Sequence, residues 1–239
     1  MTMDRISMIL YLHGFRSSPS SFKARIMAAE MARLGCLDQW RCPALPVSPR
    51  AAADMALEQA NDLARQHGKD PADSLTVVGS SLGGYYAMHV AEKLGCRAVL
   101  LNPAVHADRD LARRVGTHTN YHDQEQIIEF LPHYLTELAS LKVIPLTRPE
   151  RYLLIAATGD ELLDWREMRD VCKGAKQIII EGSDHGISDF ATWMPEVMRF
   201  AGYDDTRLAG QQAREAKNDL ASQSGMKSAT DSTHKMGRA

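Results

Sequence analysis

LTVVGSSLGGYYAMHV, residues 75–90, joins an apolar run of strand length to a helix-compatible segment through a turn rich in glycine and serine. Within it, GSSLG at residues 79–83 matches the G-x-S-x-G pattern of a nucleophile elbow, where a serine occupies a strained strand-to-helix turn. Ser81 is the candidate nucleophile, because this register puts glycine at both crowded flanking positions. The alternative interpretation is a glycine-rich turn that only packs well or holds a phosphate.

Short apolar runs alternate with helical patterns on both sides of this stretch, which is typical of a parallel sheet flanked by helices. The predicted strands are Ile6–Leu12, a weaker pattern at Arg41–Leu45, Leu75–Gly79, Ala98–Leu101, Tyr152–Ala157 and Gln177–Ile180. The predicted crossover helices cover Ser21–Leu34, a segment from the N-cap Ser48 to Gly68, and a segment from Ser81 to Leu94. We therefore expect an α/β fold with a doubly wound, mainly parallel sheet of about six strands.

The chain has 239 residues, of which 44% are hydrophobic, so one sizeable core is expected. We predict a single domain over residues 1–203 and a disordered tail over 204–239, since that tail has almost no large apolar residue. Residues 105–150 break the strand and helix rhythm and are too long for an ordinary connection. This insertion is a candidate lid over the site, or a surface excursion without a role.

Composition excludes several classes of function. The chain has 28 Lys and Arg against 30 Asp and Glu, so it lacks the basic footprint of a nucleic-acid partner. No apolar run is long enough to span a membrane, and the run ending at Leu12 is shorter than a signal segment, so a cytoplasmic location is expected. The four cysteines lack C-x-x-C spacing, which predicts reduced structural thiols and argues against zinc knuckles, a redox pair or a disulfide framework. The first strand is followed by H-G-F and not by G-x-G-x-x-G, which disfavours a dehydrogenase, and we expect no cofactor.

A serine nucleophile needs donors for an oxyanion, and on this fold they come from the carboxyl ends of neighbouring strands. The first predicted strand ends in His13-Gly14-Phe15, so the backbone N–H groups of Phe15 and Leu82 are the candidate oxyanion hole. His13 is interpreted as a residue that braces this loop, with contact to substrate or a role as the base as alternatives.

The base and the acid are expected later in the chain, after successive strands. His185 lies in the short loop EGSDHG after the last predicted strand, and Asp160 follows the strand before it. Asp164 is the alternative acid, although a carboxylate there could also cap the next helix. His118 and His122 have the spacing of metal ligands on a helix, but no third ligand is indicated and we expect no metal site.

A serine nucleophile of this kind transfers the acyl group of its substrate, and aromatic residues could line a pocket for that group. Tyr85 and Tyr86 begin the helix after the elbow and either line that pocket or pack in the core. Phe130 and Tyr134, in the amphipathic segment Gln126–Leu141, either cover the acyl group or form the inner face of a helix.

Five motifs in order resemble the α/β-hydrolase superfamily, and more closely its YqiA/YcfP-like family of small bacterial esterases. They are YLHGFRSSPSSFKA, VVGSSLGGYYA, LNPAV, TGDELLDW and GSDHG, within Ile9–Phe200. The resemblance implies a reduced hydrolase sheet without the usual N-terminal hairpin and a triad of Ser81, Asp160 and His185. It also implies hydrolysis of carboxylic esters, with acyl-CoA thioesters as a further substrate class.

The sequence thus predicts a serine hydrolase that acts on a small-molecule ester or thioester through an acyl-enzyme. An acyltransferase with the same triad and a non-catalytic binding protein of the same fold are the alternatives. The oligomeric state is left open.

Overall fold

The computed structural model of the chain describes residues 7–203. Its strands are β1 (Met8–Leu12), β2 (Trp40–Arg41), β3 (Leu75–Ser80), β4 (Arg97–Leu101), β5 (Gly116–Thr119), β6 (Ile127–Phe130), β7 (Tyr152–Ala157) and β8 (Lys176–Ile180). Its α-helices are α1 (Phe22–Arg33), α2 (Pro49–Gln66), α3 (Pro71–Ser74), α4 (Leu82–Leu94), α5 (Ala107–Asp110), α6 (Tyr134–Ser140), α7 (Trp165–Val171) and α8 (Phe190–Ala201).

Six strands form one parallel sheet in the order β2-β1-β3-β4-β7-β8. The register pairs Leu12 with Gly79, Ser80 with Leu101, and Ala157 with Ile180. These pairs bring the carboxyl ends of the five longer strands to one edge of the sheet. The predicted parallel six-stranded sheet is confirmed, and its central strands β1, β3 and β7 are buried along their whole length.

The edge strand β2 differs from the predicted Arg41–Leu45, since it contains only Trp40 and Arg41. Two residues further on, Pro43 has no N–H to donate to a ladder. Leu45 instead donates its N–H to the ring Nε2 of His13 at 3.1 Å. The segment after β2 is therefore held by a side chain and not by a strand partner.

Helix α2 begins as the sequence predicts. Pro49 is its first residue, and the Ser48 hydroxyl accepts the Ala51 N–H at 3.2 Å. Helix α4 ends at Leu94 and is capped by Gly95, which adopts the left-handed conformation with φ 66°. These local stop and start signals set the lengths of the helices that pack on the sheet.

After the short helix α5, the insertion forms a hairpin and then the helix α6, and not one amphipathic unit over Gln126–Leu141. Strands β5 and β6 pair antiparallel, and Ile128 and Phe130 are buried while Ile127 and Glu129 are exposed. This period of two is typical of a strand, and Pro132 then interrupts the backbone before α6 begins. Leu138 and Leu141 join the hydrophobic core that contains α2 and α4.

Across residues 7–203, none of the helices combines the length and apolar character that crossing a bilayer requires. The four cysteines are free thiols, of which Cys36, Cys96 and Cys172 are buried. The predicted disordered tail at 204–239, and Ile6 of the first predicted strand, lie outside the described residues.

Candidate active site

Ser81 occupies the turn between β3 and α4 with φ 56° and ψ −121°. Non-glycine residues rarely adopt a positive φ, so the surrounding structure has to hold this conformation. The Ser81 N–H donates to the Leu101 carbonyl at 3.0 Å, and the Ser81 carbonyl accepts from Gly84 at 2.9 Å and Ala104 at 3.0 Å. The backbone of the next strand connection thereby fixes the turn that presents the serine hydroxyl.

Two glycines are needed for this turn because the backbone segments approach so closely. A Cβ atom at Gly79 would collide with the Gly83 carbonyl, and a Cβ atom at Gly83 would collide with the Leu12 carbonyl. The pattern G-x-S-x-G therefore has a steric cause here at both glycines, as the register centred on Ser81 requires.

Three side chains from three strand ends form a hydrogen-bonded row. His185 Nε2 lies 3.0 Å from Ser81 Oγ, and His185 Nδ1 lies 2.8 Å from Asp160 Oδ2. The Asp160 side chain is 0% exposed and the His185 side chain 17% exposed. Because Asp160 accepts the Nδ1 proton, Nε2 is free to accept the serine proton.

The Asp160 carboxylate is oriented by its own loop. Its Oδ1 accepts the backbone N–H groups of Leu162 and Leu163, each at 2.9 Å, which leaves Oδ2 for His185. The alternative acid, Asp164, is exposed and caps α7 by accepting the Arg166 N–H at 2.9 Å. The structure thus places Asp160, and not Asp164, against the histidine.

Asn102, which the sequence analysis did not select, connects the ends of three strands. It is fully buried, and its Nδ2 donates to the carbonyls of Asp184 and His185, each at 3.0 Å. Its Oδ1 accepts the N–H of Ala157, the last residue of β7, at 2.8 Å. The feature of the sequence that could have identified Asn102 is its position as a polar residue directly after β4, within the motif LNPAV.

Glu161 and Lys23 also hold the histidine loop, and neither was selected from the sequence. Glu161 Oε2 accepts the His185 backbone N–H at 2.9 Å. Lys23, on α1, is only 9% exposed, and its ammonium donates to the Gly186 carbonyl. Burial lowers the pKa of Lys23 to about 8, although the nearby carboxylates of Asp184 and Asp160 act in the opposite direction.

The two candidate oxyanion donors lie beside the serine. Leu82 is the first residue of α4, so its N–H has no acceptor within the helix. Phe15 follows Gly14, whose position is so close to Ser81 that an added Cβ would lie 3.6 Å from the hydroxyl oxygen. Both Phe15 and Leu82 line the same cleft as Ser81 and His185.

His13 braces the loop that carries Phe15. Its Nε2 accepts from Leu45, so Nδ1 carries the proton and donates to the Gly14 carbonyl at 3.0 Å. Burial lowers the pKa of His13, which favours the neutral ring that this pair of hydrogen bonds needs. Both ring nitrogens are therefore engaged by backbone groups, which favours the bracing interpretation over the base.

Three of the four candidate acyl-pocket aromatics, Tyr85, Tyr86 and Phe130, are buried. Tyr85 is buried and donates its hydroxyl to the Leu138 carbonyl at 2.7 Å. The Phe130 ring is buried between Phe15 at 5.3 Å and Tyr134 at 5.5 Å. Tyr86 lines a cavity of about 90 Å³ that shares residues 14–17 and Leu82 with the cleft of Ser81. These positions favour the core-packing interpretation for Tyr85 and Phe130.

The cleft that contains Ser81 has a volume of about 560 Å³. Its walls come from the loop after β1, the start of α1, the segment 104–122 and the loops after β7 and β8. The insertion contributes Asp110, Leu111, Arg114, Tyr121 and His122 to the cleft, while its helix α6 packs on the core. Its role as a lid stays a prediction.

His118 and His122 do not share a helix. His118 lies in β5 with its Nε2 2.6 Å from the Arg114 carbonyl, and His122 Nε2 lies 3.4 Å from the Ser17 hydroxyl. Between residues 7 and 203, no three His, Cys, Asp or Glu side chains are grouped as ligands for a metal ion.

Comparisons with known proteins agree with this architecture. Similar solved structures include the mouse α/β hydrolase domain-containing protein 10, which is 16% identical with a TM-score of 0.58 over 80% of this chain and 89% of that one. A metagenome-derived lipolytic enzyme is 15% identical, with a TM-score of 0.61 over 82% and 93%. An esterase from Pyrococcus furiosus is 17% identical, with a TM-score of 0.50 over 81% and 80%.

These structural similarities show a shared fold, which confirms the predicted fold class. A family model described as "Uncharacterised protein family (UPF0227)" matches residues 8–202, nearly the whole described region. The chain therefore belongs to this uncharacterised family, the YqiA/YcfP-like family, and has the fold of the α/β-hydrolase superfamily.

Proposed function

We propose that this protein is a serine hydrolase that cleaves carboxylic esters or acyl thioesters. The observation that carries the proposal is the row Ser81–His185–Asp160, with distances of 3.0 and 2.8 Å, at the wall of an open cleft. A serine is a weak nucleophile by itself, and a neighbouring imidazole that can accept its proton activates it. The lipolytic and esterase structures that share the fold support the same class of chemistry.

In the first half of the reaction, the Ser81 hydroxyl attacks the carbonyl carbon while its proton moves to His185 Nε2. The buried Asp160 carboxylate stabilises the imidazolium that forms. The N–H groups of Phe15 and Leu82 donate to the negative oxygen of the tetrahedral intermediate, and the N-terminus of α4 adds a favourable dipole. His185 then protonates the leaving alcohol or thiol as the acyl-enzyme forms.

In the second half, water takes the place of the leaving group. His185 removes a proton from that water as it attacks the acyl-enzyme carbonyl, and returns the proton to Ser81 Oγ as the acid departs. Asn102 and Glu161 hold the backbone of the histidine loop throughout, so the imidazole keeps its position through both half-reactions.

The experiment that tests this proposal is covalent labelling by a fluorophosphonate, read by intact mass. We expect one adduct on the wild type, none on Ser81→Ala, and an adduct on Ser80→Ala, the neighbouring serine that lacks the elbow position. Hydrolysis of 4-nitrophenyl esters should be lost with the label in Ser81→Ala.

Retention of the adduct in folded Ser81→Ala would contradict the assignment of Ser81 as the nucleophile. Absence of both label and hydrolysis in folded wild type would instead favour a binding protein that keeps the fold. A labelled protein that releases its acyl group only to an added alcohol or thiol would favour an acyltransferase.

A further inference from the structure

The cleft beside Ser81 has an excess of positive charge. Among its lining residues, Arg16, Lys23 and Arg114 are cationic, while Asp110 and Glu161 are acidic. His122 and His185 are the titratable rings that also face it. The whole chain has a formal charge of −2, so this excess is local to the cleft and not a property of the composition.

The two acids of the cleft already have partners. Asp110 Oδ1 accepts from Arg109 at 2.9 and 2.7 Å, and that arginine also contacts Glu167 at 2.8 and 2.6 Å. Glu161 Oε2 is engaged by the His185 N–H at 2.9 Å. Within residues 7–203, neither of these carboxylates forms an ion pair with Arg16 or Arg114.

Lys23 is compensated as well, because its ammonium contacts the Gly186 carbonyl and lies near the carboxylates of Asp184 and Asp160. Arg16 and Arg114 are therefore the cationic side chains of the cleft that could bind an anionic ligand.

Arg16 is held in place next to the candidate oxyanion hole. Its Nε donates to the Thr119 carbonyl at 2.7 Å, and its guanidinium lies 4.2 Å from the centre of the Tyr121 ring. A second N–H, on Nη1, donates to the Tyr121 hydroxyl at 3.4 Å. A stacked guanidinium that is held in this way loses little further freedom when its remaining N–H groups bind an anion. Its chain neighbour, Phe15, supplies one of the proposed oxyanion donors.

Arg114 approaches the cleft from the insertion. Its carbonyl is 2.6 Å from the ring nitrogen of His118, which neighbours Thr119 in β5. Within residues 7–203, the Arg114 guanidinium has no hydrogen-bond or ion-pair partner. A guanidinium at the wall of a cleft that has no ion-pair partner from the protein is suited to a carboxylate or phosphate from a ligand.

We propose that this cleft selects esters or thioesters that carry a carboxylate or phosphate group, which Arg16 and Arg114 bind while the carbonyl lies at Ser81. The inference rests on the proposed hydrolase function and adds the class of substrate. The anionic group belongs either to the acyl part or to the leaving group, and matched substrates distinguish these two sources.

The test compares kcat/KM within two pairs. Mono-4-nitrophenyl adipate and 4-nitrophenyl hexanoate have equal carbon chains and the same leaving group, and differ by a terminal carboxylate. S-butyryl-phosphopantetheine and S-butyryl-pantetheine have the same acyl group and differ by one phosphate. In one pair at least, we expect the anionic member to be preferred, and the preference to fall as ionic strength rises.

Arg114→Gln should lower that preference about fivefold, mainly through KM, because it removes a charge-assisted contact with the anion. Arg16→Gln should lower it similarly. Arg113→Gln is the matched control, since Arg113 is an exposed neighbour in the same turn and does not line the cleft. It should leave the ratio within each pair unchanged.

Equal kcat/KM for the charged and neutral members of both pairs would overturn the inference while leaving the hydrolase proposal intact. An equal loss of preference in Arg113→Gln and Arg114→Gln would also overturn it, because the effect would then come from the general field of the surface. No turnover of any of the four substrates, with no fluorophosphonate label, would overturn the hydrolase proposal and this inference with it.

Discussion

Lys23 shows how a single residue connects distant parts of this chain. It lies near the start of α1, yet its ammonium contacts the carbonyl of Gly186 in the histidine loop. Burying a charge carries a desolvation cost, which the contact and the two nearby carboxylates offset only partly, since the pKa of Lys23 still falls to about 8. The molecule therefore holds its histidine loop at a cost in stability.

This cost predicts a pH dependence of the free energy of unfolding. The pKa of Lys23 is about 8 in the fold and rises to its ordinary 10.5 on unfolding, so between these values the unfolded chain binds more protons. The Lys23 contribution is least favourable below pH 8 and improves by about 1–3 kcal/mol as the pH rises to 10.5. Urea unfolding of wild type and Lys23→Met across this pH range measures the contribution. The difference between their free energies of unfolding isolates Lys23, because the other titrating groups are the same in both proteins.

The exposed Lys173→Met variant is the control and should parallel the wild type at each pH. If the difference between wild type and Lys23→Met stayed constant from pH 7.5 to 10.5, the buried cation would not be coupled to folding.

Helix α6 shows that the insertion is part of the core. Leu138 is fully buried, and its carbonyl accepts the Tyr85 hydroxyl from α4. The Ser48 hydroxyl and the Arg50 N–H, at the start of α2, both donate to Glu137 at 2.8 and 3.0 Å. These contacts hold α6 on the core, so we expect any gating movement to involve the hairpin and its tip rather than α6.

We predict that Leu138→Ala lowers the free energy of unfolding by about 2–5 kcal/mol, because it leaves a cavity against α2 and α4. Thr136→Ala, on the exposed side of the same helix, should change it by less than about 0.5 kcal/mol. Urea denaturation followed by circular dichroism measures both. Similar small effects for the two variants would mean that α6 is not packed as described.

At the scale of the whole molecule, sheet and insertion behave as one compact unit up to Gly202. We therefore expect α6 and β4 to open together by global unfolding. In native-state hydrogen exchange at low urea, the opening free energies of their amides should fall with urea concentration at the same slope. The exposed tip at residues 121–125 should exchange without that slope. A shallower slope for α6 than for β4 would identify the insertion as a separate unfolding unit.

The sheet order also explains why the candidate site forms where it does. Ser81, Asp160 and His185 follow β3, β7 and β8, whose carboxyl ends lie on one edge of a parallel sheet. The span from Ser81 to Asp160 contains β4 and the insertion, so residues far apart in the chain meet only because the strands align.

The sequence by itself determined the five longer strands of the parallel sheet, the crossover helices and the turn at Ser81, but not the edge strand β2 or the hairpin β5–β6. These features depend on apolar periodicity, on capping by Ser48, and on glycines that close backbone approaches require, all of which are local properties of the chain. It also selected Asp160 and His185 from their positions after successive strands. The hydrogen bonds agree with that selection, and the catalytic roles remain predictions.

Only the tertiary structure decided which side chains surround these residues. Asn102 and Lys23 contact partners 82 and 163 positions away, and no spacing along the chain encodes such contacts. The sequence also left open whether Tyr85 and Phe130 pack in the core or line the cleft. Periodicity indicates only that each lies on an apolar face. Packing against distant elements settles that choice, because burial depends on every element that meets at the face and not on one segment alone.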